Sequence, residues 1–404
     1  MRRPRAACAA LLLVAVGLAA CTDDAAFDAR PNGPTSGDTS ADGDGGASSD
    51  RADRTGVVVS DDPRAEEILG IVDAAIRELA LRTVVFGVWV GDEEVVRGAL
   101  DSPSSRPPTA VDARFRVGQP MEAMLGTILL QLADEGAIDL DDPVDSYVPD
   151  LVDADRITPR MLANSTGGMP DYVRDEAFQD RVLGDPFEGT SFDELLSYAQ
   201  RTAPLFEPGT SWAYSHTEMA VLVEVLEGAS GESLEELMAS RIFEPLGMTS
   251  SSAHHDSSIT APILHAYTDA RGVYEESTFW DPTWGLNGSM NSSTADLARW
   301  LQALNAGSLL DDDDAEELLS PVTAGLGTMT EDRYFSYGSL VSEGWILGNP
   351  NLNGYQGFTA QQRDPSVTIV VWSTVAPGRT DESNASQEIA RRIAAVVSDD
   401  PFTA

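Results

Sequence analysis

Lysine is absent from this chain. All 26 basic residues are arginine, set against 66 acids and four histidines, for a formal net charge of −40 over 404 residues. The absence removes every reaction that needs a titratable amine side chain as general base or Schiff-base former. The shortage of positive charge argues against nucleic acid and against anionic lipid headgroups as partners. Cysteine is scarce too, with only Cys8 and Cys21. Long hydrophobic runs are restricted to the extreme N-terminus, from Ala6 to Ala20, and that run is shorter than a membrane span.

What is present begins with an export signal. Arg2, Arg3 and Arg5 precede the apolar run, which ends in small residues. Leu18-Ala19-Ala20-Cys21 resembles the bacterial lipobox, in which the cysteine is lipidated and becomes the first residue. Residues 1–20 are therefore expected to be a signal peptide and Cys21 a lipid anchor on the outer face of the cytoplasmic membrane. Cleavage would remove Cys8 and leave no disulfide. Residues 21–62 are Asp, Ser, Gly, Ala, Thr and Pro with few large apolar side chains, a composition expected to form a disordered tether.

The remainder, 63–404, reads as one folded domain; 42% hydrophobic and 23% charged residues are ordinary for a globular chain. Ala65–Leu81 has helical spacing, and Thr83–Val90 with Glu94–Leu100 forms a hairpin about Gly91-Asp92-Glu93. A mainly helical stretch follows, roughly 120–304. β-rich runs return at Tyr337–Leu347, Gly357–Gln362 and Val367–Thr374, and an amphipathic helix is expected over Glu382–Val397. This order predicts an α/β (α+β) fold. One antiparallel sheet would be built from both chain ends and flanked by helices, with a helical subdomain inserted.

The segment Phe115-Arg116-Val117-Gly118-Gln119-Pro120-Met121-Glu122 joins a short strand to a helix. Pro120 suits a first helical position, because its missing N–H would bond nothing there. Gln119 falls at the junction, amid the open N–H groups of the helix start. A nucleophile is often found at such a junction; this chain has an amide.

Several further stretches carry a family resemblance across residues 63–404. They are Asp139-Leu140-Asp141-Asp142-Pro143-Val144, Ile157-Thr158-Pro159-Arg160-Met161-Leu162 running on to Gly168-Met169-Pro170-Asp171-Tyr172, and Phe206-Glu207-Pro208-Gly209-Thr210-Ser211-Trp212-Ala213-Tyr214-Ser215. Arg241-Ile242-Phe243-Glu244-Pro245-Leu246-Gly247-Met248 and Ser292-Ser293-Thr294-Ala295-Asp296-Leu297-Ala298-Arg299-Trp300 complete the set. In this order the chain resembles the serine β-lactamase/DD-peptidase superfamily, on the branch of class C β-lactamases, DD-carboxypeptidases and related esterases. The resemblance implies the β-lactamase/transpeptidase-like fold and an acyl-transfer site made of three elements.

Each element departs from the family pattern. Ser-x-x-Lys reads Gln119-Pro120-Met121-Glu122, so hydroxyl and ammonium are both gone. Tyr-x-Asn reads Tyr214-Ser215-His216, which retains only the phenol. The His/Lys-x-Gly strand, aligned through Gln356-Gly357-Phe358, reads Asn351-Leu352-Asn353 followed by Gly354. A carboxamide cannot act as the acyl-accepting nucleophile, and no lysine elsewhere can replace the missing one. Glu122 is read as a helix-start stabiliser matched to the dipole and not as a new general base.

These residues imply a catalytically silent, membrane-anchored protein that binds a peptide, cell-wall fragment or protein partner in the former cleft. Candidate lining groups are Gln119, Glu122, Tyr214, His216, Asn351, Asn353 and Gly354. The alternatives are an esterase or peptidase rewired around Tyr214 and His216, with Ser215 or Ser165 as hydroxyl, and a surface scaffold. If the cleft residues bond one another, the cleft is partly closed. No cofactor or metal is implied: His254-His255-Asp256 reads as a solvated loop and Asp311–Asp314 as a helix N-terminus. Trp280 and Trp284 fall in a segment resembling the family's cleft-facing loop, where core or rim packing is expected ahead of ligand stacking. Oligomeric state is not encoded in any of these features.

Overall fold

The computed structural model describes residues 53–103, 105, 107–285, 290–379 and 383–403. Along the N-terminal part run β1 (Asp53–Val59), α1 (Arg64–Glu78), β2 (Leu81–Val90) and β3 (Glu93–Asp101). The middle holds β4 (Phe115–Arg116), α2 (Glu122–Asp134), α3 (Pro159–Ala163), α4 (Glu176–Gly184), α5 (Phe192–Ala199) and α6 (His216–Ser230). It continues through α7 (Leu234–Met238), α8 (Glu244–Leu246), β5 (Ser252–Ala253), β6 (Tyr267–Thr268), β7 (Glu275–Glu276) and β8 (Met290–Ser292). Two helices, α9 (Thr294–Ala306) and α10 (Asp312–Leu318), lead into the C-terminal strands. These are β9 (Arg333–Ser336), β10 (Ser339–Ser342), β11 (Trp345–Gly348), β12 (Asn351–Leu352), β13 (Tyr355–Gln362) and β14 (Val367–Val375), closed by α11 (Ala385–Val397).

The main sheet has the order β1-β3-β2-β14-β13-β11-β10-β9, with β12 paired to β13, and its pairings are antiparallel. The two chain ends meet where β14 pairs with β2, and the helical middle is inserted between them, as expected. Side chains of β2 alternate between two cores. Val84, Phe86 and Val88 pack with Ile68, Val72 and Ile76 of α1 and Ile389 and Ile393 of α11. Val85 and Trp89 point to the opposite face, toward the core of α2, α6 and α9. Both faces are covered, so the strand reads as a nearly unbroken apolar run.

Several boundaries differ from expectation. The proposed tether over 21–62 contains β1, in which Val57, Val58 and Val59 pair with Gly98, Arg97 and Val96. Folded structure thus starts before Pro63, because three successive valines suit an edge strand despite the low-complexity sequence upstream. Residues 21–52 of the tether, Cys21 among them, and the signal peptide lie outside the described residues. The last helix begins at Ala385, where the Asn384 side chain accepts the N–H groups of Ser386 and Gln387; Glu382 lies outside the described residues. Asp311 caps α10 by accepting the Asp314 N–H, as its sequence suggests. Among the described residues no helix is long and apolar enough to cross a membrane.

The start of α2 is fixed by close packing. Gly118 has φ +71°, followed by a 3-10 turn over Gln119–Met121 before α2 begins at Glu122. The turn between β9 and β10 passes across this helix start. A Cβ on Gly338, whose φ is +82°, would lie 2.3 Å from the carbonyl carbon of Glu122. Gly338→Ala is expected to destabilise the protein by about 1–3 kcal/mol through overpacking and strain. Urea unfolding checks this, and an unchanged midpoint would refute the packing argument.

Candidate functional site

The site lies where the first turns of α2 and α6 face each other. Glu122 opens α2, the helix-start position expected for it, and is completely buried. Its Oε1 accepts the Tyr214 hydroxyl at 2.5 Å. Burial pushes the Tyr214 phenol well above its ordinary value of 10, and the charge and hydrogen bond of Glu122 push the same way. Tyr214 is therefore a neutral donor at physiological pH. The family's ammonium at position 122 would favour phenolate; the carboxylate here opposes it.

His216 begins α6, and its ring lies 5.0 Å from the Tyr214 ring, edge to face. Its Nδ1 lies 3.1 Å from Asp171 Oδ2. Sequence reasoning identified no acid to orient this imidazole; Asp171 is that acid. Burial, the largest influence, pulls the His216 pKa down. Asp171, with a smaller contribution from Glu122, outweighs it and leaves the value above the ordinary 6.5. Burial likewise works to raise Asp171, but His216 and the Val173 N–H hold its carboxyl below the ordinary range.

The loop carrying Asp171 is pinned by the next two residues of α6. Thr217 Oγ donates to the Pro170 carbonyl at 2.6 Å and accepts the Tyr172 N–H. Glu218 is buried and accepts the N–H groups of Gly167 and Met169. Burial pushes its carboxyl up to about 8 against those backbone donors. The signal for this clamp was the juxtaposition of a His-Thr-Glu helix start with a glycine-rich loop ending in Asp171. Recognising it required knowing that the two segments touch.

Other predicted residues divide clearly. The Gln119 Oε1 accepts the Asn349 N–H at 3.0 Å, which ties the helix start to the end of β11. Asn351 pairs with Gln356 in the β12–β13 hairpin, and Asn353 and Gly354 form its turn with φ of +41° and +104°. The Asn353 carbonyl accepts the Ser277 hydroxyl. No rebuilt Ser–His pair forms among the described residues. Ser165 and Ser215 are fully buried, their hydroxyls have no partner, and His216 Nδ1 faces Asp171 instead. His254 pairs with Glu235 at the surface.

The inner polar groups thus bond one another, and the space left open lies to one side. A small recess, open to solvent, is lined by Arg116, Trp280, Asp281, Trp284, Leu352 and Asn353, among others. Trp284 and Asn353 also border a second recess beside Val173 and Phe178. Both candidate tryptophans therefore line the recess.

This sheet, with helices on both faces and a helical insertion facing its edge, is the serine β-lactamase/transpeptidase-like fold. The chain belongs to the beta-lactamase family, whose model matches residues 70–392. It is 29% identical over 244 residues to penicillin-binding protein 4* of Bacillus subtilis, covering 56% of this chain and 50% of that protein. It is 28% identical over 182 residues to a D-aminopeptidase of Cereibacter sphaeroides, covering 44% and 34%. The chain thus spans half or less of the length of these two curated relatives. Among solved structures, a D-amino acid amidase from Ochrobactrum anthropi matches with TM-score 0.71 at 20% identity, covering 82% of this chain and 97% of that one. A D-stereospecific amidohydrolase from Streptomyces sp. matches with TM-score 0.68 at 24% identity, covering 78% and 96%.

The His216–Asp171 pair yields a pH prediction. Because the His216 pKa is raised, its stabilising contribution is complete below about 6.5 and is lost as pH rises through the raised value. The Asp171 contribution is present above about 3.8 and is lost as pH falls through its lowered value. In Asp171→Asn, burial dominates, and the His216 pKa is expected below 6.5 in an NMR titration. A value unchanged from the native chain would rule the pairing out.

Proposed function

We propose that this protein is a catalytically silent member of its family that binds a peptide or cell-wall-derived fragment beside the former acylation site. The observation carrying this reading is the Tyr214 O–H donating to buried Glu122. A phenol held neutral by an adjacent carboxylate cannot serve as base, and Gln119 offers no hydroxyl to activate. The similarity to a D-aminopeptidase, a D-amino acid amidase and a penicillin-binding protein supports a ligand of peptide or amide character.

A second reading, a hydrolase rewired around Tyr214 and His216, is favoured by one feature, the orienting Asp171. It lacks an exposed nucleophile, since Ser215 and Ser165 are buried. Incubation of the full-length chain with fluorescent penicillin and an activated serine-hydrolase probe separates the two by intact mass. No adduct is expected on the native chain, and slow partial acylation on the Gln119→Ser/Glu122→Lys double variant. A stoichiometric adduct on the native chain would overturn the silent reading.

The export signal supports placing this binding function outside the cytoplasmic membrane, on a lipid attached to Cys21. Metabolic labelling with a palmitate analogue is expected to mark the native chain and not Cys21→Ser. Equal labelling of both would remove the anchor from the proposal.

A further inference from the structure

Glu218 lies in the first turn of α6, completely buried, and no cation accompanies it among the described residues. Its Oε2 accepts the Gly167 N–H at 2.9 Å and its Oε1 the Met169 N–H at 3.0 Å, with the Gly168 N–H acting on it as well. The loop that supplies these donors, 167–169, has no titratable side chain. A Cβ on Gly167 would lie 3.1 Å from Oε2, so the loop encloses the carboxyl at contact distance.

Charged groups on the elements packed against α6 are engaged elsewhere or are themselves acids. On α3, Arg160 is held by Asp141, Glu317 and the Tyr337 hydroxyl. α2 brings Glu122, bonded to Tyr214, and Asp134 at its far end. α5 brings Asp193, Glu194 and Tyr198, and α7 brings Glu235 and Glu236. The 3-10 turn Tyr172–Arg174 brings Tyr172 and an exposed Arg174 whose nearest acid is Asp171. On α6 itself His216 faces Asp171, and Glu224 and Glu227 lie more than a turn further along. Among the described residues none of these groups forms an ion pair or hydrogen bond with Glu218.

An ionised carboxylate in this setting is costly, whereas the neutral acid accepts N–H groups without stranding a charge. Burial accordingly raises the Glu218 carboxyl from its ordinary 4.5 to about 8. Water could reach the carboxylate if the loop parted from α6. The loop has other attachments that would survive such a movement. The Leu205 N–H donates to the Gly168 carbonyl and the Gly209 N–H to the Thr166 carbonyl, each at 2.8 Å.

We propose that Glu218 is a proton latch: the loop parts from α6 as Glu218 gives up its proton to solvent, and it carries Asp171 away from His216. The inference stands apart from the binding function proposed above. Because the folded pKa is raised, the latch is fully set below about 4.5 and weakens as pH rises to about 8. The His216–Asp171 pair adds a dependence of the same sign, but only above about 6.5. The carboxyl of Asp171 acts only below about 3.8. Between about pH 5 and about pH 6 the Glu218 proton is therefore read by itself.

Amide exchange followed by mass spectrometry on the full-length chain, corrected for the intrinsic exchange rate, reports protection of residues 165–173, with α11 as reference. Native loop protection is expected to fall about tenfold from about pH 5 to about pH 6, as release of one proton requires, while α11 holds. Glu218→Gln keeps one acceptor and cannot ionise, so its loop protection is expected to be the same at both pH values. Asp171→Asn is expected to keep the fall, because His216 takes no part in this range. Constant protection in the native loop overturns the latch, as does an equal fall in Glu218→Gln or in α11. Loss of the fall in Asp171→Asn overturns it too, by assigning the proton to the His216–Asp171 pair. If Glu218→Gln does not fold, the native loop measured against α11 and the Asp171→Asn chain decide the matter.

Discussion

The hydroxyl of Tyr214 points its proton at a carboxylate sealed from water, and the polarity of that contact governs the groups around it. A buried Glu122 needs donors, and Tyr214 is one of them. The phenol then becomes a fixed neutral donor and cannot carry negative charge itself. Beside it stands an imidazole with a raised pKa, held by Asp171. In a chain without lysine, His216 offsets the buried acids at this place together with Arg174, whose Nε lies 3.9 Å from Asp171. The cluster forms a self-consistent electrostatic unit whose polarity is the reverse of what activating a hydroxyl requires.

Backbone contacts hold this unit in place. Gly338 lets the β9–β10 turn ride against the first residue of α2, so Glu122 cannot shift without moving the sheet. On the other side, Thr217 and Glu218 grip the segment from Gly167 to Tyr172, which fixes Asp171 relative to His216. Each functional side chain therefore stands at a helix start or on a loop bonded to one. Such positions are set by main-chain geometry and tolerate changes of side-chain chemistry while preserving the fold.

Much of the fold was legible in the sequence for local reasons. The apolar run Val84–Val88, the turn at Gly91 and the β-rich runs from Tyr337 onward each report their own structure, whereas β9 at Arg333–Ser336 was not anticipated. Motif order identified the superfamily, and the substitutions at 119, 122 and 216 identified the altered site. The missing parts depended on tertiary contacts. Nothing local to Asp171 announces a partner 45 residues away, and burial of Glu122 follows from packing across the sheet edge. β1 was missed because its valines follow a low-complexity stretch, and pairing with β3 supplies what propensity alone could not.

Gln119 takes a structural role at the junction where the family resemblance implies a nucleophile. A nucleophile at this junction must leave its reactive atom free for substrate, so it can contribute little to holding helix and strand together. The amide of Gln119 is instead committed to the Asn349 N–H, bridging the 3-10 turn to the end of β11. Such a bond to a partly buried backbone donor contributes roughly 0.5–1.5 kcal/mol. More importantly, it fixes the strand end that leads into Leu352 and Asn353, two walls of the recess. Gln119 thus steadies the space beside it, and a recess held rigid in this way leaves less ordering to be done by anything that enters it.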